Sequence, residues 1–319
     1  MRWLLHALGA GFGMALAGVV VGVVGVSIGL RHYGADLPDH AQLADYEPPI
    51  ASRIYAADGR FLAEYAREQR VFVPIEAIPA RVQNAFIAAE DQHFRRHLGV
   101  DPLGIVAAAI DNIERWRNDR RPRGASTITQ QVAKNFLLTN ELSLERKIKE
   151  AILAVRLERA FSKDHILELY LNEIYLGERT YGVAAAALEY FGKGLDELTL
   201  AEAAFLAGLP RAPSLYDPED NPDGARQRRR YVLDRMRADR YITAEEHAAA
   251  AAAPLATETG PGRDVARGAY FADEVRRRLE RRYGNQDLFE AGFAVRTTLD
   301  AELQAVTDEA LRNGLHAYD

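Results

Sequence analysis

The chain has 319 residues, of which 48% are apolar and 27% are charged, a composition typical of one large globular domain or two modest ones. It contains no cysteine, which excludes disulfides, thiolate nucleophiles and cysteine-bound zinc. The formal net charge of −6 gives no general attraction to nucleic acid.

The N-terminal segment is long and apolar. No Asp, Glu, Lys or Arg occurs from Trp3 to Leu30, and about 20 apolar residues in a helix suffice to cross a bilayer. The run exceeds the apolar core of a removable signal peptide, so it predicts an uncleaved single-pass anchor within residues 1–32. Four-residue glycine spacings, such as Gly9 to Gly13, leave two interpretations open: a helix that packs against a partner helix, or a lone anchor filled with small residues.

The remainder of the chain divides by its hydrophobic pattern. Residues 33–50 are polar and proline-containing, which is typical of a stalk. Two strand-like runs then flank Asp58-Gly59, which predicts a β-hairpin. Helical patterns follow, so we predict a mainly α domain over 51–250 with a small N-terminal hairpin. For residues 251–319 the pattern predicts a linker, a helix, a short strand in "FAVRTTLD" and a final helix from Ala301.

The stretch "IAAEDQHFRRHLG" places two carboxylates, Glu90 and Asp91, at the end of an apolar run. His93 and His97 are four residues apart, so on a helix they would share a face, as zinc ligands do. The HExxH arrangement is absent and no third ligand is evident. Three interpretations therefore remain: a metal site, an acid–base pair of carboxylates, and an ordinary helix end.

A second stretch, "RGASTITQQVAKN", combines hydroxyl and amide side chains before an apolar segment. Thr127 and Gln130 have the spacing of a capping box, which predicts a helix that starts here. A helix start offers backbone N–H groups and the positive end of a dipole to an anion. Gln131 and Lys134 fall on adjoining turns of the same helix.

A third stretch, "LERKIKEAILAVRLERAF", brings Arg146 and Lys147 to within four and three residues of Glu150. On a helix all three share one face, and the usual meaning of such spacing is a surface ion pair of little energetic value. A fourth stretch, "SKDHILELYLNEIYLG", has Ser162 as a candidate helix cap and an apolar stripe that favours a scaffold role.

The segment from Val100 to Trp116 is apolar at helical spacing, and a run rich in arginine follows from Arg115 to Arg123. One interpretation is a helix that contacts an anionic membrane surface. The other is a solvated loop after a core helix.

Taken in order, these stretches resemble the glycosyltransferase family 51 domain of the class A penicillin-binding proteins. The family pattern runs ED-x-x-F-x-x-H-x-G, G-x-S-T-I-x-Q-Q, R-K-x-x-E and K-x-x-I-L-E-x-Y-L-N. "GLPRAPSLYDP", from Gly208 to Pro218, is similar to a fifth segment, so the resemblance covers roughly residues 50 to 250. The matching residues are Glu90, Asp91, Phe94, His97 and Gly99; Gly124, Ser126, Thr127, Ile128, Gln130 and Gln131; Arg146, Lys147 and Glu150; and Lys163, Ile166, Leu167, Glu168, Tyr170, Leu171 and Asn172.

The resemblance implies a lysozyme-like helical fold that polymerises lipid II into β-1,4 glycan strands, with inversion and release of polyprenyl pyrophosphate. It makes Glu90 the general base, and we expect partial burial and repulsion from Asp91 to raise the pKa of Glu90 toward working pH. It makes Glu150 the residue that orients the cations or the leaving group. The residues implied in substrate binding are Asp91, Ser126, Thr127, Gln130, Gln131, Lys134, Asn135, Arg146 and Lys147.

The resemblance also implies a location and partners. The anchor would lie in the bacterial inner membrane, with the catalytic domain on the periplasmic side. The partners would be lipid II, the growing glycan strand and membrane lipids, with a homodimer or other cell-wall synthesis proteins left open. No cofactor is required, and a contribution of Mg²⁺ or Mn²⁺ stays open.

The family's transpeptidase site is missing from this sequence. No serine is followed by lysine three residues later, and there is no KTG motif. We therefore expect the chain to be the N-terminal part of a longer protein or a truncated form of one. Two rival functions remain: a lysozyme-like glycan hydrolase with Glu90 as its acid, and a non-catalytic membrane-anchored scaffold for cell-wall assembly.

Overall fold

A computed structural model describes residues 33–34, 37–38, 43, 52–65, 69–117, 124–138, 143–255, 268–284, 288–289 and 292–318. The predicted anchor, most of the predicted stalk and residues 118–123 of the arginine-rich run lie outside these ranges. Within the described ranges, no helix combines the length and apolarity needed to span a bilayer.

Helices dominate the described residues, as the sequence predicted. In chain order they are α1 (Ala80–Glu90), α2 (Pro102–Arg117), α3 (Ile128–Leu137), α4 (Leu144–Ala160), α5 (Lys163–Glu173), α6 (Val183–Phe191), α7 (Leu200–Leu206), α8 (Pro222–Ala238), α9 (Ala244–Ala252), α10 (Ala269–Tyr283) and α11 (Ala301–Tyr318). The strands are β1 (Ser52–Tyr55), β2 (Phe61–Tyr65), β3 (Gln69–Arg70), β4 (Thr180–Tyr181) and β5 (Ala294–Arg296).

The chain groups into two compact units. The first comprises residues 1–45 and 93–166, and the second comprises residues 46–92 and 167–319, so the division falls inside α5. The boundaries predicted for the 51–250 domain stay a prediction, and α9 continues through Ala252.

In the first unit, α3 packs against α4. The preceding loop reaches α4 at Gly99, which has a φ of +90° and would place a Cβ only 2.5 Å from the Ala154 carbonyl oxygen. Only glycine adopts this conformation at such a close approach. The Gly99 carbonyl then accepts a hydrogen bond from Thr127 Oγ1 at 2.6 Å, so this glycine fixes the start of α3 over α4.

In the second unit, α8 is the central helix. It packs against α1, α7 and α9, and α1 also contacts α7. The apolar residues on α1 that become buried are Val82, Ala85, Phe86, Ile87 and Ala88. On α8 the buried positions include Ala225, Val232, Leu233 and Met236 together with two arginines, Arg228 and Arg229. Two buried guanidinium groups in one helix must both find acceptors or counter-charges.

The predicted hairpin is confirmed, also in the second unit. β1 and β2 pair antiparallel, and the Arg60 backbone N–H donates to the Asp58 side chain at 2.9 Å across the turn. Gly59 has a φ of +91°, which glycine adopts without steric cost. β5 adds in parallel to β1, giving the order β2-β1-β5, so the strand predicted near the C-terminus completes this small sheet.

Candidate active site

Glu90 is the last residue of α1, in the second unit. Its side chain is 14% exposed, and the adjacent Asp91 is buried at the helix C-cap. The helix carbonyls at this end disfavour a nearby anion, and α1 has no basic residue in its last turn. A cation from another element would offset these effects at Glu90.

That cation is Arg228 from α8. Its Nη2 lies 3.6 Å from Glu90 Oε1, and the guanidinium side chain is only 7% exposed. The separation is beyond hydrogen-bond distance, so the effect is one of charge. A cation favours the ionised carboxylate, which opposes the influence of burial and of Asp91 that we expected to dominate at Glu90.

Tyr170 lies beside this carboxylate pair. Its side chain is buried, and its hydroxyl makes no hydrogen bond with the described residues. Burial raises the pKa of Tyr170 well above its ordinary value, the negative charges of Glu90 and Asp91 raise it further, and Arg228 opposes them. The hydroxyl is therefore neutral at working pH. The ring meets Phe86 edge-on at 6.2 Å between centroids.

Glu150 lies in α4, in the first unit, and is 1% exposed. Arg146 Nε lies 3.1 Å from one carboxylate oxygen and Lys147 Nζ lies 2.5 Å from the other. The arginine contact is an ion pair without good hydrogen-bond alignment. The predicted shared face is confirmed, but the usual interpretation of a surface pair is wrong because the carboxylate is buried.

The start of α3 contributes to the same cluster. Lys147 Nζ donates to Ser126 Oγ at 3.3 Å, so the second and third sequence stretches meet. The predicted capping box is confirmed: Thr127 Oγ1 accepts from the Gln130 backbone N–H at 3.1 Å, and Gln130 Oε1 accepts from the Thr127 backbone N–H at 2.9 Å. The box therefore uses two of the N–H groups that the sequence had suggested for an anion.

The remaining predicted binding residues occupy α3 beyond this cap. Gln131 and Lys134 are half-buried and Asn135 is exposed. Lys134 makes no ion pair or hydrogen bond with another described residue, which leaves its charge uncompensated within that part of the chain. An uncompensated, half-buried ammonium group is suited to an anionic ligand.

The two histidines do not share a helix face. α1 ends at Glu90, so His93 and His97 lie in the turns that follow it. His93 Nδ1 pairs with Asp101 Oδ2 at 2.8 Å, whereas His97 Nδ1 accepts the Gly99 backbone N–H at 3.2 Å. The described residues contain no group of three or more acidic or histidine side chains arranged around a metal. The two imidazoles thus have separate partners, and the metal interpretation stays a prediction.

The sequence analysis missed Arg228. No role was assigned to any arginine of the helix that carries it. A signal was present, because Arg228 falls between Ala225 and Val232, at the three- and four-residue spacing of the apolar stripe. An arginine at an apolar-stripe position indicates a buried cation.

Each group suits one kind of chemistry. An ionised, nearly buried carboxylate such as Glu90 can accept a proton from a hydroxyl group. In the other cluster, Arg146 and Lys147 outnumber the one carboxylate of Glu150, which leaves a positive charge in excess for an oxyanion or phosphate.

Comparisons with known proteins agree with the motifs. A family model described as Transglycosylase matches residues 58–237. Penicillin-binding protein 1A of Rickettsia felis is 49% identical over 291 residues, which cover 91% of this chain and 37% of that protein. Penicillin-binding protein 1A of Neisseria meningitidis serogroup B is 43% identical over 308 residues, covering 97% of this chain and 38% of that protein.

A solved structure gives the same result. The crystal structure of penicillin-binding protein 1A from Haemophilus influenzae matches with a TM-score of 0.53 and 31% sequence identity, over 86% of this chain and 30% of that one. The chain thus spans less than two fifths of these relatives. The family resemblance drawn from the motifs is confirmed, and the chain belongs to the transglycosylase family found in penicillin-binding proteins of type 1A.

Proposed function

We propose that the chain is an inverting peptidoglycan glycosyltransferase that polymerises lipid II into β-1,4 glycan strands and releases polyprenyl pyrophosphate. The observation that carries this proposal is the cationic cluster around buried Glu150. Transfer from a pyrophosphate donor needs cations that neutralise the leaving group, whereas hydrolysis of a neutral glycosidic bond has no such group to bind.

In the proposed reaction, Glu90 accepts the proton of the acceptor 4-hydroxyl. The oxygen then forms a bond to the anomeric carbon of the donor as the bond from that carbon to the pyrophosphate oxygen breaks. The electron pair stays on the pyrophosphate. Attack from the face opposite the leaving group inverts the anomeric carbon, so an α-linked donor gives a β-linked product without a covalent enzyme intermediate.

The pyrophosphate is assigned to Arg146, Lys147 and Lys134. Arg146 and Lys147 are held by Glu150 at 3.1 and 2.5 Å, so their positions are set before substrate binds. Preorganised cations stabilise developing charge without a reorganisation cost. Ser126 joins them through its contact with Lys147. Glu150 acts in this proposal by orienting the cations, and no metal is required.

The test is polymerisation of labelled lipid II by the detergent-solubilised chain beside Glu90→Gln. We expect long strands from the parent and a rate about 10² to 10⁴ times lower from the variant. A folded parent that makes no polymer from lipid II overturns the proposal and favours the scaffold. Cleavage of preformed glycan strands, without polymerisation, favours the hydrolase. A chelator in the same assay tests for a contribution of Mg²⁺ or Mn²⁺.

The proposal places the catalytic domain at the periplasmic face of the inner membrane, where the lipid tail of the substrate remains. Helix α2 supports this location because its apolar side chains are exposed, with only Ala108 buried. Leu103, Val106 and Ile110 follow one face and are 75%, 58% and 65% exposed. An exposed apolar face on an amphipathic helix favours contact with lipid.

A matched pair of variants tests this contact. In a chain without residues 1–32, replacing Leu103, Val106 and Ile110 by serine should lower partitioning into phosphatidylglycerol-containing vesicles at least about tenfold, because each buried apolar side chain contributes roughly 1.5–3 kcal/mol. The control replaces three similarly exposed residues of α11 by serine; these residues are Leu303, Val306 and Leu311. Equal partitioning of both variants would argue against α2 as the lipid-contacting helix.

A further inference from the structure

We propose that Arg228 is the positioning residue of the general base and keeps Glu90 ionised at the end of α1. This inference rests on the proposed function, because it assigns the support of a base that the reaction requires. It adds a residue from α8, outside the four motifs that carry the resemblance.

The inference starts from a conflict at the end of α1. Glu90 and Asp91 are neighbouring carboxylates, nearly or fully buried, at the negative end of a helix dipole. Burial, like charge and the dipole all favour the protonated form of the Glu90 carboxyl group. A general base must be ionised before it can accept a proton. Some group must therefore reverse these effects at Glu90.

Arg228 is placed to do so. Its Nη2 lies 3.6 Å from Glu90 Oε1 and both side chains are largely shielded from water, so the attraction is weakly screened by salt. A guanidinium stays protonated across the working pH range. Because the contact is longer than a hydrogen bond, Arg228 supplies charge to Glu90 without donating a hydrogen bond to Oε1.

The guanidinium is itself fixed by its surroundings. Arg228 Nε donates to the Gly208 carbonyl at 3.0 Å, and its Cζ lies 4.6 Å from the ring centroid of Tyr231 and 5.8 Å from that of Tyr216. At Gly208 a Cβ would lie 2.9 Å from Arg228 Cγ. The glycine therefore leaves room for the arginine stem, and the carbonyl and the two rings hold the head group.

The charged and titratable groups near this end of α1 also include Asp91 and Tyr170, together with Arg235 of α8 and Asp239 at its C-cap, which both contact the Gln92 side chain. Burial and the two carboxylates raise the pKa of Tyr170, so its hydroxyl does not ionise where the enzyme works. Asp91 is the sequence neighbour of Glu90. Arg228 is the cation that the structure shows in direct contact with Glu90.

Arg229 provides a matched control on the same helix. It is 4% exposed, compared with 7% for Arg228. Its Nη2 donates to the Ala253 carbonyl at 2.7 Å, and its other contacts are also backbone carbonyls at the end of α9. Removing Arg229 therefore removes a buried guanidinium without removing a carboxylate's counter-charge.

The experiment measures the pH dependence of lipid II polymerisation by the full chain for the parent, Arg228→Met, Arg228→Lys and Arg229→Met. We expect the acidic limb of the pH–rate profile to lie about one pH unit or more higher for Arg228→Met than for the parent. The variant should approach the parental rate at high pH. Arg228→Lys keeps the charge and should restore most of the parental profile. Arg229→Met should lower stability and leave the limb in place. Coincident limbs for Arg228→Met and the parent, or an equal shift in Arg229→Met, would overturn the inference.

Two further measurements guard against ambiguous outcomes. If Arg228→Met does not fold, Gly208→Ala displaces the arginine stem while keeping every charge, and it should shift the limb in the same direction. The ionisation midpoint of Glu90 is also measured directly by carbon NMR of labelled glutamate, with Glu90→Gln assigning the signal. An unchanged midpoint overturns the inference even where polymerisation is confirmed. A parent without polymerase activity overturns the proposed function instead.

Discussion

Glu90 and Glu150 are both shielded carboxylates on helices, and each faces a cation, but the cations come from different places. Glu150 is paired with Arg146 and Lys147 from its own helix, one turn away. Glu90 faces Arg228 from another helix at 3.6 Å. The first cluster is a consequence of helix periodicity, whereas the second exists only because α1 packs against α8.

The difference bears on what each carboxylate can do. Glu150 contacts two cations directly, one at each carboxylate oxygen, and so holds both in place. The nearest Arg228 nitrogen lies 3.6 Å from Glu90, beyond hydrogen-bond distance, so this arginine acts on Glu90 through its charge.

The largest effect is expected from removing one cation of the cluster formed by Arg146, Lys147 and Glu150. Lys147→Met should lower the polymerisation rate by about 10²-fold, because a preorganised charge on the leaving group is lost. Lys149→Met is the control: Lys149 pairs with Glu145 at 2.7 Å on the same helix and should keep nearly full activity. The measurement is the initial rate of polymerisation with saturating lipid II. Equal losses of rate in both variants would contradict the proposal that Lys147 binds the pyrophosphate.

The two carboxylates should differ in stability when each is replaced by its amide. Glu150→Gln leaves a shielded Arg146 without its counter-charge and should cost about 1–3 kcal/mol. Glu90→Gln removes an anion from the negative end of a helix, and Arg228 keeps its bond to the Gly208 carbonyl, so the net change should be under about 1 kcal/mol. Denaturant unfolding of the two variants makes the comparison. A larger loss at Glu90 would show that its ion pair carries the fold.

The surroundings of Glu90 include one buried hydroxyl without a partner among the described residues, that of Tyr170. Tyr170→Phe should raise the free energy of unfolding by about 1 kcal/mol, because an unpaired buried hydroxyl is costly. Tyr190→Phe should instead lower it by about 1 kcal/mol, since the Tyr190 hydroxyl donates to the Leu176 carbonyl at 2.9 Å. Thermal or denaturant unfolding measures both, and a loss at Tyr170 would indicate that its hydroxyl finds a partner in solution.

A third carboxylate shows the effect of burial combined with negative neighbours. Burial raises the pKa of Glu178, and the charges of Asp217, Glu189 and Glu219 raise it further. A carboxyl group whose pKa is raised in the folded state contributes to the free energy of unfolding below its ordinary pKa of about 4.3. That contribution is lost as the pH rises through the pKa of the folded state. Glu178→Gln should therefore match the parent near pH 4 and be the more stable of the two at pH 7.

Glu202 is the control of opposite sign. Burial acts to raise its pKa, but hydrogen bonds from Lys193 and Thr199 lower it overall. Glu202 therefore contributes to the free energy of unfolding above its ordinary pKa, and this contribution is lost as the pH falls through its pKa in the folded state. Glu202→Gln should thus be less stable than the parent at pH 7, and this difference in stability should shrink as the pH falls. Melting temperatures at the two pH values test both variants, and the same sign for both would refute the electrostatic explanation.

Local features of the fold were predictable because their partners are close in sequence. The capping box at Thr127, the cap at Ser162, the turn at Asp58-Gly59 and the shared face of Arg146, Lys147 and Glu150 were all confirmed. Backbone geometry alone brings such residues together, whatever the rest of the chain does.

The end of α1 was less predictable. Helical spacing suggested that His93 and His97 share a face, but the helix stops at Glu90 and the imidazoles turn to Asp101 and Gly99. Spacing rules apply only while a helix continues, and helix ends are set by competing tertiary contacts. The same spacing therefore predicted a contact at Glu150 correctly and at the histidines incorrectly.

The sequence by itself determined the family, the helical class, the local caps and the ion cluster of α4, since each depends on residues within a few positions of one another. Tertiary structure alone decided that Glu150 is buried, that the apolar face of α2 is exposed, and that Arg228 stands beside Glu90. These outcomes depend on which helices pack together. A counter-charge within four residues, as at Glu150, follows from helix periodicity, whereas one from another helix, as at Glu90, depends on packing.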